Sequence, residues 1–120
     1  MSETAWPTEW LRGVLELCVL RIVADGPTYG YAIASALAEA GLGTVRGGTL
    51  YPILARLEAA GLVMTHWQAG DGGPGRKFYD LSPSGRRHLA DRTADWEAFT
   101  ALTRRLLATD NVPVRQGDPS

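Results

Sequence analysis

The sequence predicts an α+β fold that is mainly α-helical with one small β-hairpin. Along most of the chain, apolar residues recur at spacings of three and four, as on one face of a helix. Two short stretches, 62–68 and 77–81, have the composition of strands and flank the glycine-rich segment GDGGPG at 70–75. The length of 120 residues fits one domain with at most one appended element.

The first two helices are predicted from apolar spacing and from the residues that end them. Thr8 can cap a helix over 8–24, which the segment DGP at 25–27 ends. A second helix is expected over about 28–40, and the segment GLG at 41–43 provides the turn after it. The predicted apolar stripe of the first helix consists of Leu11, Val14, Leu15, Cys18 and Ile22.

The third helix is expected to begin between Arg46 and Thr49 and to end at Gly61. Pro52 favours the later start, because proline is most easily accommodated in the first turn. The apolar residues of this helix form one stripe, made of Leu50, Ile53, Leu54 and Leu57.

A long fourth helix is predicted to begin after Ser82, which serves as N-cap with Pro83 at the first helical position. The predicted domain organisation is a compact unit over 8–82, a terminal helix over 83–108, and flexible tails at 1–7 and 109–120. The apolar stripe of the fourth helix has no remaining segment of the chain to cover it, which indicates a partner subunit. This stripe consists of Leu89, Trp96, Phe99, Leu102 and Leu106.

The net charge of −1 conceals an uneven distribution. Residues 46–88 hold six basic and three acidic side chains, a net charge of +3, whereas the rest of the chain carries −4. A basic centre in an acidic chain fits local contact with phosphates better than indiscriminate binding of nucleic acid.

Several classes of protein are disfavoured. With Cys18 as its one cysteine, the chain has no internal disulfide, and it lacks a signal peptide or an apolar run long enough for a bilayer. We therefore expect a cytoplasmic protein without membrane association. His66, His88 and Cys18 are too few and too scattered for a metal or catalytic site, so neither cofactor nor enzymatic activity is expected.

The order helix, strand, basic-tipped hairpin and strand predicts a winged helix-turn-helix that binds double-stranded DNA. Thr49, Pro52 and Arg56 share one helix face opposite the leucines, and Arg56 is long enough to reach a guanine edge or a phosphate. The alternative for this segment is an ordinary capped surface helix. The predicted DNA-binding residues are Tyr29, Tyr31, Arg46, Thr49, Tyr51, Pro52, Arg56, Arg76 and Lys77.

Two aromatic residues of the fourth helix, Trp96 and Phe99, form a group with Trp6 and Trp10 near the first helix, and Trp96 is expected to be shielded from water. Two interpretations remain open, the core of a homodimer or a pocket between subunits in which a planar aromatic ligand stacks on indole. The predicted dimer or ligand interface consists of Trp10, Val14, Leu15, Cys18, Leu89, Trp96 and Phe99.

These motifs resemble those of the PadR family of transcriptional regulators. The resemblance rests on LRGVL at 11–15, GPTYGYAI at 26–33, GTLYPILARLE at 48–58, GLV at 61–63 and GRKFYDL at 75–81. It implies a winged helix with a C-terminal dimerisation helix, acting as a repressor on a palindromic operator. Thr49, Tyr51 and Arg56 would belong to the recognition helix, and Arg76 and Lys77 to the wing.

The single terminal helix is similar to that of the compact branch of this family. Some members of that branch bind flat aromatic compounds at the dimer interface through a tryptophan of this helix. Helical phase places Trp96 in that position. The competing hypothesis is a protein-interaction or dimerisation module that keeps the winged shape without binding DNA, which the modest local charge of +3 permits.

Overall fold

In the part of the chain that the structure describes, four α-helices and a three-stranded antiparallel sheet make up the fold. The computed structural model describes residues 6–70 and 72–108, so most of both predicted tails, 1–5 and 109–120, lies outside the described residues. In chain order the elements are α1 (Thr8–Val23), β1 (Thr28–Tyr29), α2 (Gly30–Leu37), a π-helical turn (Ala38–Leu42), α3 (Gly47–Ala59), β2 (Val63–Gly70), β3 (Gly73–Leu81) and α4 (Pro83–Leu107). The predicted α+β class is confirmed.

Helix α1 supplies much of the core, but its buried stripe is rotated from the predicted one. The core residues of this helix are Leu15, Val19, Leu20 and Val23, whereas Cys18 and Ile22 are only partly buried against them. The prediction that Thr8 caps the helix was wrong, because Pro7 is the N-cap and Thr8 is already helical. None of the helices within residues 6–70 and 72–108 is both long enough and apolar enough to cross a lipid bilayer.

A short strand was missed by sequence reasoning. Thr28 and Tyr29, expected at the start of a helix, instead pair with Tyr79 and Phe78 of β3, which gives the strand order β1-β3-β2. A two-residue strand has no periodicity, so only its partner could reveal it. The α-helix that follows stops at Leu37, and Gly41 in the π-helical turn has a φ of 105°.

Helix α3 begins at Gly47, with Arg46 as N-cap, so the later start inferred from Pro52 was wrong. A proline at this depth removes one hydrogen bond to the carbonyl group of Gly48. Both residues are exposed, where water can satisfy that carbonyl. The other end fits the prediction, since Gly61 has a φ of 74° and its N–H donates to the Glu58 carbonyl at 3.0 Å.

The hairpin formed by β2 and β3 extends further than the two strands predicted from the sequence. Pairing of β2 with β3 runs from Val63 opposite Leu81 to Gly70 opposite Gly73, with an irregularity between Gln68 and Gly70. The ladder consists of backbone groups, which glycine also has, so it extends into the segment predicted to be loop. Beyond the two residues paired with β1, it is a ribbon of two strands.

Ser82 joins the start of α4 to the turn that follows α3. Its hydroxyl accepts a hydrogen bond from the Gly85 N–H at 2.9 Å and donates one to the Gly61 carbonyl at 2.6 Å. The predicted N-cap at Ser82 is therefore confirmed. Gly85 packs so closely on the Leu62 carbonyl that a Cβ at this position would collide with it.

We predict that Ser82→Ala lowers the free energy of unfolding by about 1–2 kcal/mol, because it removes the cap and leaves the N–H of the buried Gly85 without its acceptor. Ser84→Ala is the matched control, since Ser84 also donates to the Gly61 carbonyl, at 3.0 Å, but caps nothing. Chemical denaturation measures both. Equal losses in the two variants would contradict the role given to the cap.

Candidate nucleic-acid interface

One face of α3 is anchored in the core and the opposite face is exposed. Leu50 is 2% exposed, and Leu54 and Leu57 are fully buried. Across the helix, Thr49, Pro52 and Arg56 are all exposed. The outward orientation predicted from helical spacing is thus present.

The predicted DNA-binding residues fall on two sides of this exposed face. Arg46, Thr49 and Arg56 line a groove between α3 and α1. The second groove, between α3 and the hairpin, is lined by Tyr29, Tyr31, Tyr51, Arg76 and Lys77 among others. Pro52 lines neither groove.

Arg56 has one acidic neighbour, Glu16 of α1, at 3.8 Å. Both side chains are about half exposed or more, so the pair is weak and leaves the guanidinium available to another partner. The face that carries Arg56 also includes the N-terminus of α3, where the Arg46 cap makes no side-chain hydrogen bond. Helix N-termini attract anions through their free N–H groups and dipole.

Tyr51 links α3 to the start of α2. Its ring is 52% exposed, and its phenol packs onto Gly30 so closely that a Cβ there would lie 2.7 Å from Cζ. Gly30 itself is buried. The glycine in the Tyr29-Gly30-Tyr31 segment is therefore needed for the placement of a predicted contact residue on a different helix.

The two tyrosines around Gly30 differ in environment. Tyr31 is 75% exposed. Tyr29 is half-buried, with its ring 5.3 Å from that of Phe78 and the Arg76 guanidinium 4.4 Å above it. Arg76 is thereby held against the sheet by a cation–π contact while staying exposed.

Lys77, the second predicted cation of the wing, forms an ion pair within the chain. Its ammonium group donates to Glu58 Oε1 at 3.0 Å, and Thr65 donates to Glu58 Oε2 at 3.1 Å. These hydrogen bonds lower the pKa of Glu58, and the bond to Glu58 raises the pKa of Lys77. Whether Lys77 also contacts DNA stays a prediction.

Glu58 and Trp67 are the residues of this region that sequence reasoning missed. Glu58 lies at the end of α3, and its partners become visible only when the hairpin is folded back. Trp67 is 69% exposed on β2, opposite Lys77, and lines the groove beside α3. The sequence signal that could have identified Trp67 is a tryptophan in a predicted strand of the hairpin that also carries the basic pair Arg76-Lys77.

The predicted interface residues are only partly on the surface. Trp10 and Phe99 are 61% and 55% exposed, whereas Leu15 is 5% exposed and belongs to the core, so it has no surface for a partner subunit. Trp96 lies in a groove between α1 and α4, its ring 5.7 Å from that of Phe99. Val14 is half-buried, and Cys18 and Leu89 are partly buried against the core; burial raises the pKa of the Cys18 thiol.

No cluster of three or more potential metal ligands occurs among the histidine, cysteine and acidic residues that the structure describes.

Gly30→Ala should lower the free energy of unfolding by roughly 1–3 kcal/mol, because the new methyl group has no room beside Tyr51. In a Tyr51→Ala background the same change should cost much less, since the colliding ring is gone. Urea denaturation of the four proteins in this cycle measures the coupling. A cost that is the same in both backgrounds would show that Gly30 does not position Tyr51.

Comparison with known proteins places this geometry in a family. The family model described as "Transcriptional regulator PadR-like family" matches residues 19–91. The transcriptional regulator Rv3488 of Mycobacterium tuberculosis is 36% identical over 99 residues, which cover 82% of this chain and 88% of that protein.

Solved structures agree in fold. A PadR family regulator from Eggerthella lenta superposes with a TM-score of 0.77 at 35% identity, covering 85% of this chain and 88% of that one. A PadR-like regulator from Bacillus cereus gives a TM-score of 0.77 at 30% identity, covering 86% and 100%. The match in fold confirms the predicted winged helix. Because these relatives are described as regulators of transcription, the comparison favours a DNA-binding regulator over an interaction module. The chain belongs to the PadR-like family of transcriptional regulators.

Proposed function

We propose that this regulator is a homodimeric repressor that binds a palindromic operator and is released from it by a planar aromatic ligand. The observation that carries the proposal is the exposed face of α3, where Thr49, Pro52 and Arg56 lie opposite three buried leucines. A helix held in this way can enter the major groove while the hairpin contacts the flanking backbone.

The contacts divide by position along α3. The N-terminus of the helix, with Arg46 and Thr49, suits a phosphate, because its free N–H groups and dipole favour negative charge. We assign the reading of a base edge to Arg56, one turn beyond Pro52, whose exposed side chain is long enough to reach one. Tyr31 and Tyr51, exposed on the other side, can donate phenol hydrogen bonds to phosphates, and Arg76 extends this contact onto the wing.

The proposal of a homodimer rests on the surface of α4. Gly85 is the only buried residue of that helix among those described. Phe99, Leu102, Leu106 and Leu107 are 47–81% exposed. A row of large apolar side chains left in water is typical of an interface. Two subunits joined in this way hold their two copies of α3 at a fixed separation. That separation must be roughly 34 Å, one turn of the DNA helix, if both copies are to bind half-sites on the same face of one duplex.

The proposed ligand site is the groove that contains Trp96. In one chain this groove is open to solvent and is lined by Leu17, Leu20, Trp96 and Phe99 on its apolar side and by His88, Arg92 and Asp95 on its polar side. A second α4 packed against it would close the groove around a flat ligand. A ligand that changes how the two subunits cross would change the separation of the two copies of α3 and release the operator.

Arg56→Ala should weaken operator binding by about 1–3 kcal/mol if the guanidinium reads a base. Arg21→Ala is the matched control, because Arg21 is an exposed arginine paired with Asp25 at the far end of α1. Fluorescence anisotropy with an operator selected by the wild-type protein and with single-base variants measures both affinity and preference. A loss of affinity with an unchanged base preference would reduce Arg56 to a phosphate contact, and no loss would contradict the proposed interface.

Trp96→Ala should weaken the dimer by at least about tenfold, as expected for a tryptophan buried at the centre of an interface, and should abolish the binding of planar aromatic dyes. Trp67→Ala is the control, since Trp67 lies on the wing. Sedimentation equilibrium and dye titration measure the two properties. A Trp96→Ala variant that dimerises and binds dye normally would refute both roles.

A further inference from the structure

A single carboxylate joins the end of α3 to both strands of the wing. Glu58 Oε1 accepts from Lys77 Nζ of β3 at 3.0 Å, and Glu58 Oε2 accepts from Thr65 Oγ1 of β2 at 3.1 Å. Both oxygens of one side chain are thus used, one on each strand of the hairpin. In the described residues, no other acidic side chain of α3 is available for this role.

Such a link matters for the outer part of the hairpin, because the core residues of the hairpin, Val63, Tyr79 and Leu81, lie at its base. Strand β1 pairs only with Phe78 and Tyr79 of β3, so the outer part of the hairpin is a ribbon of two strands with no third strand beside it. A ribbon of this kind twists and bends easily. The Glu58 contacts lie at Thr65 and Lys77, close to the point where the ribbon leaves the sheet.

The two basic residues of the wing have different partners, because adjacent residues of a strand point to opposite faces. Lys77 faces Glu58 and also lies 5.7 Å from the centre of the Tyr79 ring. Arg76 lies over the ring of Tyr29 and is exposed. The side chains of Lys77 and Glu58 are 33% and 39% exposed, so the pair is better shielded than the Arg56–Glu16 pair.

We propose that Glu58 is a positioning residue that clamps the wing to the recognition helix through Lys77 and Thr65. In this arrangement Arg76 is the wing cation that contacts the operator backbone, whereas Lys77 binds Glu58 and does not contact DNA. The clamp sets the distance between the bases read by α3 and the flanking phosphates reached by the wing. The inference rests on the proposed operator binding and adds to it the residue that orients the wing.

Whether removal of the Glu58 charge raises or lowers the affinity for DNA distinguishes a positioning role from simple charge repulsion. An acidic side chain beside a DNA-binding surface repels phosphates, so its removal ordinarily tightens binding. If Glu58 positions the wing, its removal weakens binding instead. Glu58→Gln keeps the size of the side chain and removes the charge that holds Lys77.

We expect Glu58→Gln to weaken binding of the selected operator duplex about fivefold, a change in the range of a partly exposed ion pair. The matched control is Glu16→Gln, which removes the acidic neighbour of Arg56 on the other side of α3. That variant should bind the duplex as tightly as the wild type or more tightly, because it frees the guanidinium. A Glu58→Gln variant that binds as tightly as the wild type, or more tightly, would overturn the clamp.

Double substitutions test whether Glu58 acts through Lys77. Lys77→Gln should weaken binding as much as Glu58→Gln, and the double variant should be no weaker than either, because each change already breaks the same contact. Arg76→Gln combined with Glu58→Gln should show both losses, and Arg76→Gln alone should reduce the slope of log affinity against log salt by about 1. Independent losses for Glu58 and Lys77 would assign Lys77 to DNA and contradict the clamp.

Hydroxyl-radical footprinting supplies a readout that a general loss of stability does not move. In Glu58→Gln, protection of the flanking positions should fall while protection under α3 persists; loss of both together would contradict a role confined to the wing. Thr65→Val, which removes only the hydroxyl donor, should shift the footprint in the same direction even if Glu58→Gln folds poorly. If the wild-type protein fails to bind any duplex, the proposed function fails; if it binds and the footprint of Thr65→Val is unchanged, only the clamp fails.

Discussion

The candidate nucleic-acid interface depends on one constraint, the burial of Leu50, Leu54 and Leu57. Each of these leucines is at most 2% exposed, and burial of a leucine side chain contributes about 1.5–3 kcal/mol. Together they fix the rotation of α3 about its own axis. Any other rotation would put apolar side chains in water and polar ones in the core. Because the rotation is fixed, Thr49, Pro52 and Arg56 face outward together, and the grooves on either side of them receive the remaining predicted contacts.

Three parts of the protein meet at the end of that helix. Gly61 turns the chain from α3 into the wing, and its carbonyl accepts hydrogen bonds from Ser82 and Ser84 at the start of α4. Glu58, three residues earlier, holds both wing strands. Helix α3, the hairpin and α4 are therefore joined by hydrogen bonds at one corner of the fold. A change in the direction of α4 at a dimer interface would act directly on that corner, which gives the proposed ligand response a physical route.

The sequence predicted most features that arise from local chemistry, although the Thr8 cap and the later start of α3 were wrong. Helical spacing indicated the outward face of α3, and the Ser82-Pro83 pair and Gly61 marked the helix ends they occupy. It failed where the outcome depends on distant partners. The strand at Thr28 and Tyr29 exists only because β3 is beside it, and the carboxylate of Glu58 meets Lys77 only after the hairpin folds back. Leu15 was assigned to an interface because helical spacing does not tell which of two apolar faces of α1 packs into its own chain.

The central claim is that the exposed face of α3 and the wing neutralise phosphates of a DNA duplex. The dependence of duplex affinity on salt concentration tests it most directly, because each neutralised phosphate releases counterions and steepens the slope by about 0.9. We expect log affinity to fall linearly with log salt, with a slope that corresponds to several phosphates. No measurable binding at about 50 mM salt, or an affinity that does not change with salt, would contradict the claim.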